Sequence, residues 1–195
     1  MIGCSSWLKP GTWLENARLV QGLVDYDELL VANWDREVCN TLEQELPGLL
    51  ALDLRYTVHL PLTNAAQAWQ AFQFFEERHV PVLNYVLHPM TGWDSYQWNN
   101  LVAIENLKDI LVFHSRMVFD IGHHLLGQRV PDSWKLSVVE IHAMGVRGGR
   151  DHLPLDTATA ELILPWITEQ TLVTFEIFDL DGLKSSIETW RTVHA

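Results

Sequence analysis

Leu136-Ser137-Val138-Val139-Glu140-Ile141-His142 is a short apolar run that closes on an imidazole. A run of this length, rich in β-branched residues, reads as a strand buried on both faces, the kind found in parallel sheets. Working outward, the same form recurs. Met117-Val118-Phe119-Asp120 and Leu101-Val102-Ala103-Ile104-Glu105 precede it, and Leu172-Val173-Thr174-Phe175-Glu176 follows it. Nearer the amino terminus lie Val82 to His88, Tyr56-Thr57-Val58-His59, Glu28-Leu29-Leu30-Val31-Ala32 and Ile2-Gly3-Cys4-Ser5. Eight such segments, most followed by a helical pattern, predict an α/β fold: a small (β/α)8 TIM barrel, forming one domain over residues 1–195.

The clearest helical patterns cover Thr12 to Gly22, Arg36 to Glu45, Asn64 to Glu77, Thr157 to Glu169 and Leu180 to Trp190, several with Asn, Asp or Thr near the start as a cap. Between His88 and Glu105, and again between Glu105 and Asp120, there is little room for a helix. One or two helices of the outer ring are therefore expected to be shortened or missing, as a length near the lower limit for this fold also requires.

Composition narrows the function. With 13 Lys plus Arg against 25 Asp plus Glu, the net charge of −12 opposes binding to a phosphate backbone, so nucleic acid is not an expected partner. No stretch approaches 18 uninterrupted apolar residues, and Met1 to Pro10 lacks a basic region followed by an apolar one, so neither membrane nor export is expected. Cys4 and Cys39 cannot form a disulfide framework, which fits reduced thiols in a cytoplasmic protein.

Chemistry is suggested by how the segments end. His59 closes the third, His88 the fourth and Glu105 the fifth. Asp120 closes the sixth and is followed by Ile121-Gly122-His123-His124; His142 closes the seventh, with Asp151-His152 in the loop beyond; Glu176 closes the eighth. In a TIM barrel the carboxyl ends of the strands share one face, so residues distant in sequence converge there. Imidazoles and carboxylates suit zinc, manganese, iron or cobalt, and a carboxylate can bridge two ions. Such ions lower the pKa of water and stabilise attacking and leaving oxygens, which points to phosphoester hydrolysis. Each residue also has a structural explanation. A strand-end histidine beside proline, such as His59 or His88, can simply bond to backbone, and Glu105 or Glu176 can be a buried carboxylate paired with Arg116, Arg147 or Arg150. Repetition at corresponding strand ends favours the metal site. His79, His114 and His194 fall outside the pattern, and His124 is read as solvent-facing or supporting, with His123 the better-placed ligand.

Val58-His59-Leu60-Pro61, Ile104-Glu105-Asn106, Phe119-Asp120-Ile121-Gly122-His123 and Glu140-Ile141-His142 resemble the xylose isomerase-like TIM barrels, which include sugar epimerases and endonuclease IV. Tyr56 to Leu62, Asp120 to Leu126, Gly145 to Leu155 and Phe175 to Phe178 resemble one branch, the cobamide-remodelling phosphodiesterases. That resemblance implies hydrolysis of the nucleotide-loop phosphoester of adenosylcobamides, giving adenosylcobinamide phosphate and an α-riboside, with a corrinoid as small-molecule partner. It implies a central ion held by Glu105, Asp120, His142 and Glu176, and a second held by His59 and His88 with Glu105 bridging. A third would need His123, His152 and an aspartate two residues before that last histidine, whereas here Asp151 is directly adjacent. Two divalent transition-metal ions are thus expected, with Glu105, Glu176 and His142 as catalytic residues. Trp93, Tyr96, Trp98 and Trp134 are candidates for an apolar wall against the substrate, or else fill space left by missing helices. A single-ion sugar isomerase or epimerase and a noncatalytic corrinoid-binding protein are the rival readings.

Overall fold

The computed structural model describes residues 1–194. Eight parallel strands close into a barrel: β1 (Ile2–Ser5), β2 (Tyr26–Leu30), β3 (Arg55–His59), β4 (Val82–Leu87), β5 (Val102–Glu105), β6 (Met117–Asp120), β7 (Val138–Ala143) and, last in the chain, β10 (Leu172–Phe175). Neighbours in sequence are neighbours in the barrel, and β10 closes it by pairing with both β7 and β1. All eight expected strands are present, so the fold is the small TIM barrel read from the sequence.

Side chains alternate between two environments along each strand, as the two-residue period of a strand demands. On β5, Val102 and Ile104 pack outward against the helices, while Ala103 and Glu105 face the barrel axis. On β6, Met117 and Phe119 face out, and Val118 and Asp120 face in. The apolar core is therefore a sleeve between barrel and helices, with Val86, Ala103 and Val118 as a small apolar patch inside the barrel.

Outside lie α1 (Trp13–Val20), α2 (Arg36–Leu50), α3 (Ala65–Glu77), α4 (Ile121–Leu126), α5 (Thr157–Ile163) and α6 (Leu180–Val193). Each begins at a residue whose side chain accepts a backbone N–H of the first turn: Thr12, Asp35, Asn64, Asp120, Asp156 and Asp179. Helix α2 runs through Pro47 to Leu50, past the expected end at Glu45. The ring is incomplete where the sequence is short. Only a 3-10 turn, Trp93–Ser95, lies between β4 and β5, and no helix lies between β5 and β6.

One element was not anticipated. After β7 the chain forms a hairpin, β8 (Gly145–Arg147) with β9 (Arg150–Leu153), antiparallel and outside the barrel. Its turn residues Gly148 and Gly149 both have positive φ, 59° and 75°, the conformation that Gly-Gly supplies in a two-residue hairpin loop. No described helix is long and apolar enough to cross a membrane, and Cys4 and Cys39 are unpaired.

Candidate metal centre

The six strand-end candidates meet His123 and His152 at the carboxyl end of the barrel. Glu105 is at the centre. Its Oε2 lies 3.2 Å from His59 Nε2 and 2.9 Å from His88 Nε2, while its Oε1 lies 3.5 Å from both His142 Nδ1 and His123 Nδ1. Asp120 and Glu176 close the other side: His142 Nδ1 is 3.8 Å from Asp120 Oδ2 and 3.5 Å from Glu176 Oε2. His152 approaches Glu176 Oε2 at 3.4 Å through Nε2. Three groups of donors result, His59-His88-Glu105, Glu105-Asp120-His123 and Asp120-His142-Glu176, each with its ligand atoms within 4.8 Å of one another.

Local structure accounts for these positions. His59 is the last residue of β3 and its Nδ1–H can donate to the Leu60 carbonyl at 3.2 Å, which leaves Nε2 for Glu105. Asp120 ends β6 and caps α4: its Oδ1 accepts the His123 N–H at 2.5 Å, and its Oδ2, without a hydrogen-bond partner, faces the cluster. Asn106 ties β5 to β6, donating to the Asp120 carbonyl at 3.0 Å and accepting its N–H at 2.9 Å. His123 Nδ1 lies 2.9 Å from the Asn106 carbonyl. Among the described residues, His152, at φ 54°, is one of two non-glycine residues with positive φ, an uncommon conformation for a residue with a Cβ and one often found at working sites. Its ring stacks on Phe178 at 4.9 Å and its Nδ1 lies 3.2 Å from Asp151 Oδ1.

The charge balance is that of a ligand set holding protons. Burial alone raises a carboxyl pKa, yet the imidazoles of His88 and His142 hold Glu105 well below its usual range, and those of His142 and His152 do the same for Glu176. Asp120 goes the other way, pushed up by burial and by the charges of Glu176 and Glu105. Burial would lower His59, but its contact with Glu105 wins and raises it to about 9; His142 is likewise raised by Glu28 and Glu105.

A divalent ion fits the residues present. Asp120 Oδ2 and His142 Nδ1 are buried polar atoms with no hydrogen-bond partner, a costly state unless something else satisfies them. Separations near 3.5 Å are long for hydrogen bonds, yet they suit donors that share one ion at about 2.1 Å each. Among the described residues no Lys or Arg forms an ion pair with Glu105 or Glu176. Arg116, suggested as such a partner, instead donates to Asn84 Oδ1 at 2.9 Å. Asp151 is engaged elsewhere too, pairing with Lys108 at 2.6 Å.

The remaining candidates pack against neighbouring aromatic groups. His124 turns outward, packs edge-on to Phe119 and Trp166, and accepts the Val130 N–H at 3.0 Å. Trp93, Tyr96 and Trp98 occupy the connection that lacks a helix. Tyr96 and Trp98 lie 5.4 and 5.2 Å from Trp69 of α3, and Trp98 Nε1–H donates to the Trp93 carbonyl at 2.7 Å. Trp134 packs on Phe113 at 5.2 Å. Exposed apolar side chains at the site's end of the barrel include Phe178 beside His152, Trp7 just after β1 and Leu62 just after β3.

Two buried acids beneath the cluster had no expected role. Glu28 Oε2 lies 3.3 Å from His142 Nε2, and Glu140 accepts from Asn84 Nδ2 at 2.7 Å and from the Thr174 hydroxyl. Glu140 was visible two residues before His142, where the strand period places both on one face. Glu28 was hidden because the sequence suggested that its strand began there, whereas β2 begins at Tyr26.

No family model matches this chain, and no curated protein matches its sequence. Solved structures similar to it include a D-psicose 3-epimerase with D-tagatose from Clostridium cellulolyticum H10, with 10% identity over 99% of this chain and 91% of that one and a TM-score of 0.45. A second D-psicose 3-epimerase, in the presence of D-fructose, aligns at 12% identity over 99% and 96% with a TM-score of 0.46. SacUVDE aligns at 10% identity over 93% of this chain and 71% of its own, also at 0.46. Fold and site together define the class: a TIM barrel with a buried cluster of imidazoles and carboxylates suited to divalent metal at the carboxyl end of its strands.

Proposed function

We propose that the chain is a metal-dependent phosphodiesterase that hydrolyses the nucleotide-loop phosphoester of adenosylcobamides. The observation that carries the hydrolytic reading is the placement of Glu105. One of its oxygens faces His59 and His88 and the other faces His142 and His123, so a single carboxylate joins two donor sets. Glu105, Asp120, His142 and Glu176 would hold one ion and His59, His88 and Glu105 a second, each being zinc, manganese, iron or cobalt. Such ions supply hydroxide near neutral pH and offset charge on the phosphoryl oxygens.

The protein's own groups divide the remaining work. Water adds across the phosphoester: its oxygen bonds to phosphorus, the bond from phosphorus to the riboside oxygen breaks, and that oxygen takes up a proton. His88, His123 and His152 are partly exposed around a floor of fully buried Glu105 and His142, so they meet the substrate first. Phe178, Trp7 and Leu62 offer apolar surface for a corrin or base. The choice of a corrinoid rests on the resemblance around His59, Asp120, His152 and Glu176.

A sugar isomerase or epimerase is the second reading, favoured by the compact set of Glu105, Asp120, His142 and Glu176, which is enough for one ion. Incubating metal-loaded protein with an adenosylcobamide and identifying products by mass spectrometry separates them. Adenosylcobinamide phosphate and a phosphate-free α-riboside are expected. An intact cobamide, together with turnover of a ketose, would establish the isomerase instead.

A further inference from the structure

Glu28 is completely buried, and neither of its carboxylate oxygens has a hydrogen-bond partner. A carboxylate in that state is strongly disfavoured unless a neighbour compensates it. Among the described residues no Lys or Arg pairs with it; the group that faces it is His142 Nε2 at 3.3 Å, itself without a hydrogen-bond partner. The opposite ring nitrogen, Nδ1, faces Glu105, Asp120 and Glu176. His142 therefore stands between the donor cluster and one buried acid. Register puts Glu28 beside Ser5 and Thr57, one inward layer below His59.

We propose that Glu28 is the positioning residue for His142: it accepts the Nε2–H and so keeps Nδ1 unprotonated and aimed at the metal centre. The inference rests on the reading of His142 as a ligand. A neutral imidazole carries one proton, and an acceptor at one nitrogen fixes which nitrogen is left for the ion. Glu140 lies close enough to make Glu28, Glu140 and His142 a possible ion site of their own. Its two oxygens are already taken, one by the Thr174 hydroxyl and one by Asn84 Nδ2, with Arg116 holding Asn84 from behind. Glu28 is the acid left free to serve the ring.

Three proteins test this: wild type, Glu28→Leu, which has similar bulk and no acceptor, and Glu28→Gln, which keeps a weaker acceptor. Zinc affinity measured against a competing chelator should fall about 10- to 100-fold in Glu28→Leu, with Glu28→Gln intermediate. The metal-free Glu28→Leu protein should still fold, so its zinc affinity can be read directly; were the carboxylate merely structural, the substitution would lower the melting temperature and leave zinc affinity unchanged. In the zinc-loaded wild type, long-range nitrogen-proton NMR should show His142 protonated at Nε2. Zinc affinity within twofold of wild type in Glu28→Leu would overturn the proposal, as would loss of one whole ion with the others held as tightly as before. If wild type itself binds no ion, the metal-centre reading fails first, and this role falls with it.

Discussion

Glu105 is where the centre is most sensitive to a single atom change. Glu105→Gln keeps the shape and removes the charge that two imidazole pairs face, so it should weaken metal binding and abolish most turnover while the metal-free fold survives. Were Glu105 half of a structural ion pair, breaking it would cost about 3 to 5 kcal/mol instead. Thermal melting of the metal-free variant and its metal content, measured together, distinguish the two. Asp27 poses a different residue-scale problem. It is buried outside the barrel, with Oδ2 unpartnered and the Cys4 thiol 3.9 Å from Oδ1, and burial followed by the nearby Glu28 charge raises its pKa well above the usual value. A carboxyl raised on folding is at no disadvantage below its unfolded pKa. Above that it costs stability, by about 1.4 kcal/mol per pH unit, until the folded pKa is reached. Asp27→Asn should therefore raise the melting temperature at pH 7, with the gain vanishing as pH falls toward 4.

At the scale of elements, strand ends were the legible part of the sequence. A two-residue period fixes which side chains share a face, and Glu105 and Asp120, the last residues of β5 and β6, and His142, one residue before the end of β7, all lie on the face toward the axis. Boundaries were less legible. Two residues of error at the start of β2 hid Glu28, because the apolar run Leu29-Leu30-Val31 says nothing about where pairing with β1 begins. The hairpin of β8 and β9 escaped for another reason: it is short and half-exposed, and only Gly148-Gly149 marks it. The aromatic residues were ambiguous because an apolar wall and a filler for a missing helix have the same composition. The structure lays Tyr96 and Trp98 against Trp69 and Phe72. Trp98→Ala should thus cost about 2 to 4 kcal/mol of stability in denaturant unfolding, as an emptied apolar contact does, and leave KM unchanged; a raised KM with unaltered stability would return Trp98 to the substrate wall.

At the scale of the whole molecule, a chain of net charge −12 brings Glu105, Asp120 and Glu176 into one buried cluster, where bound cations would offset their charge. The metal-free cluster carries protons on imidazoles, with His59 raised to about 9 and His142 raised as well, and these must leave when ions bind. Binding near pH 7 should therefore release protons, and affinity should rise with pH and be lost as pH falls. Calorimetry in two buffers of different ionisation enthalpy reads this directly. The most direct test is to strip the protein with chelator, reload it with zinc or manganese, and measure bound metal per chain together with turnover of an adenosylcobamide. More than one equivalent bound, with activity lost on stripping and restored on reloading, is the expected result; a fully metal-free protein with undiminished turnover would contradict it.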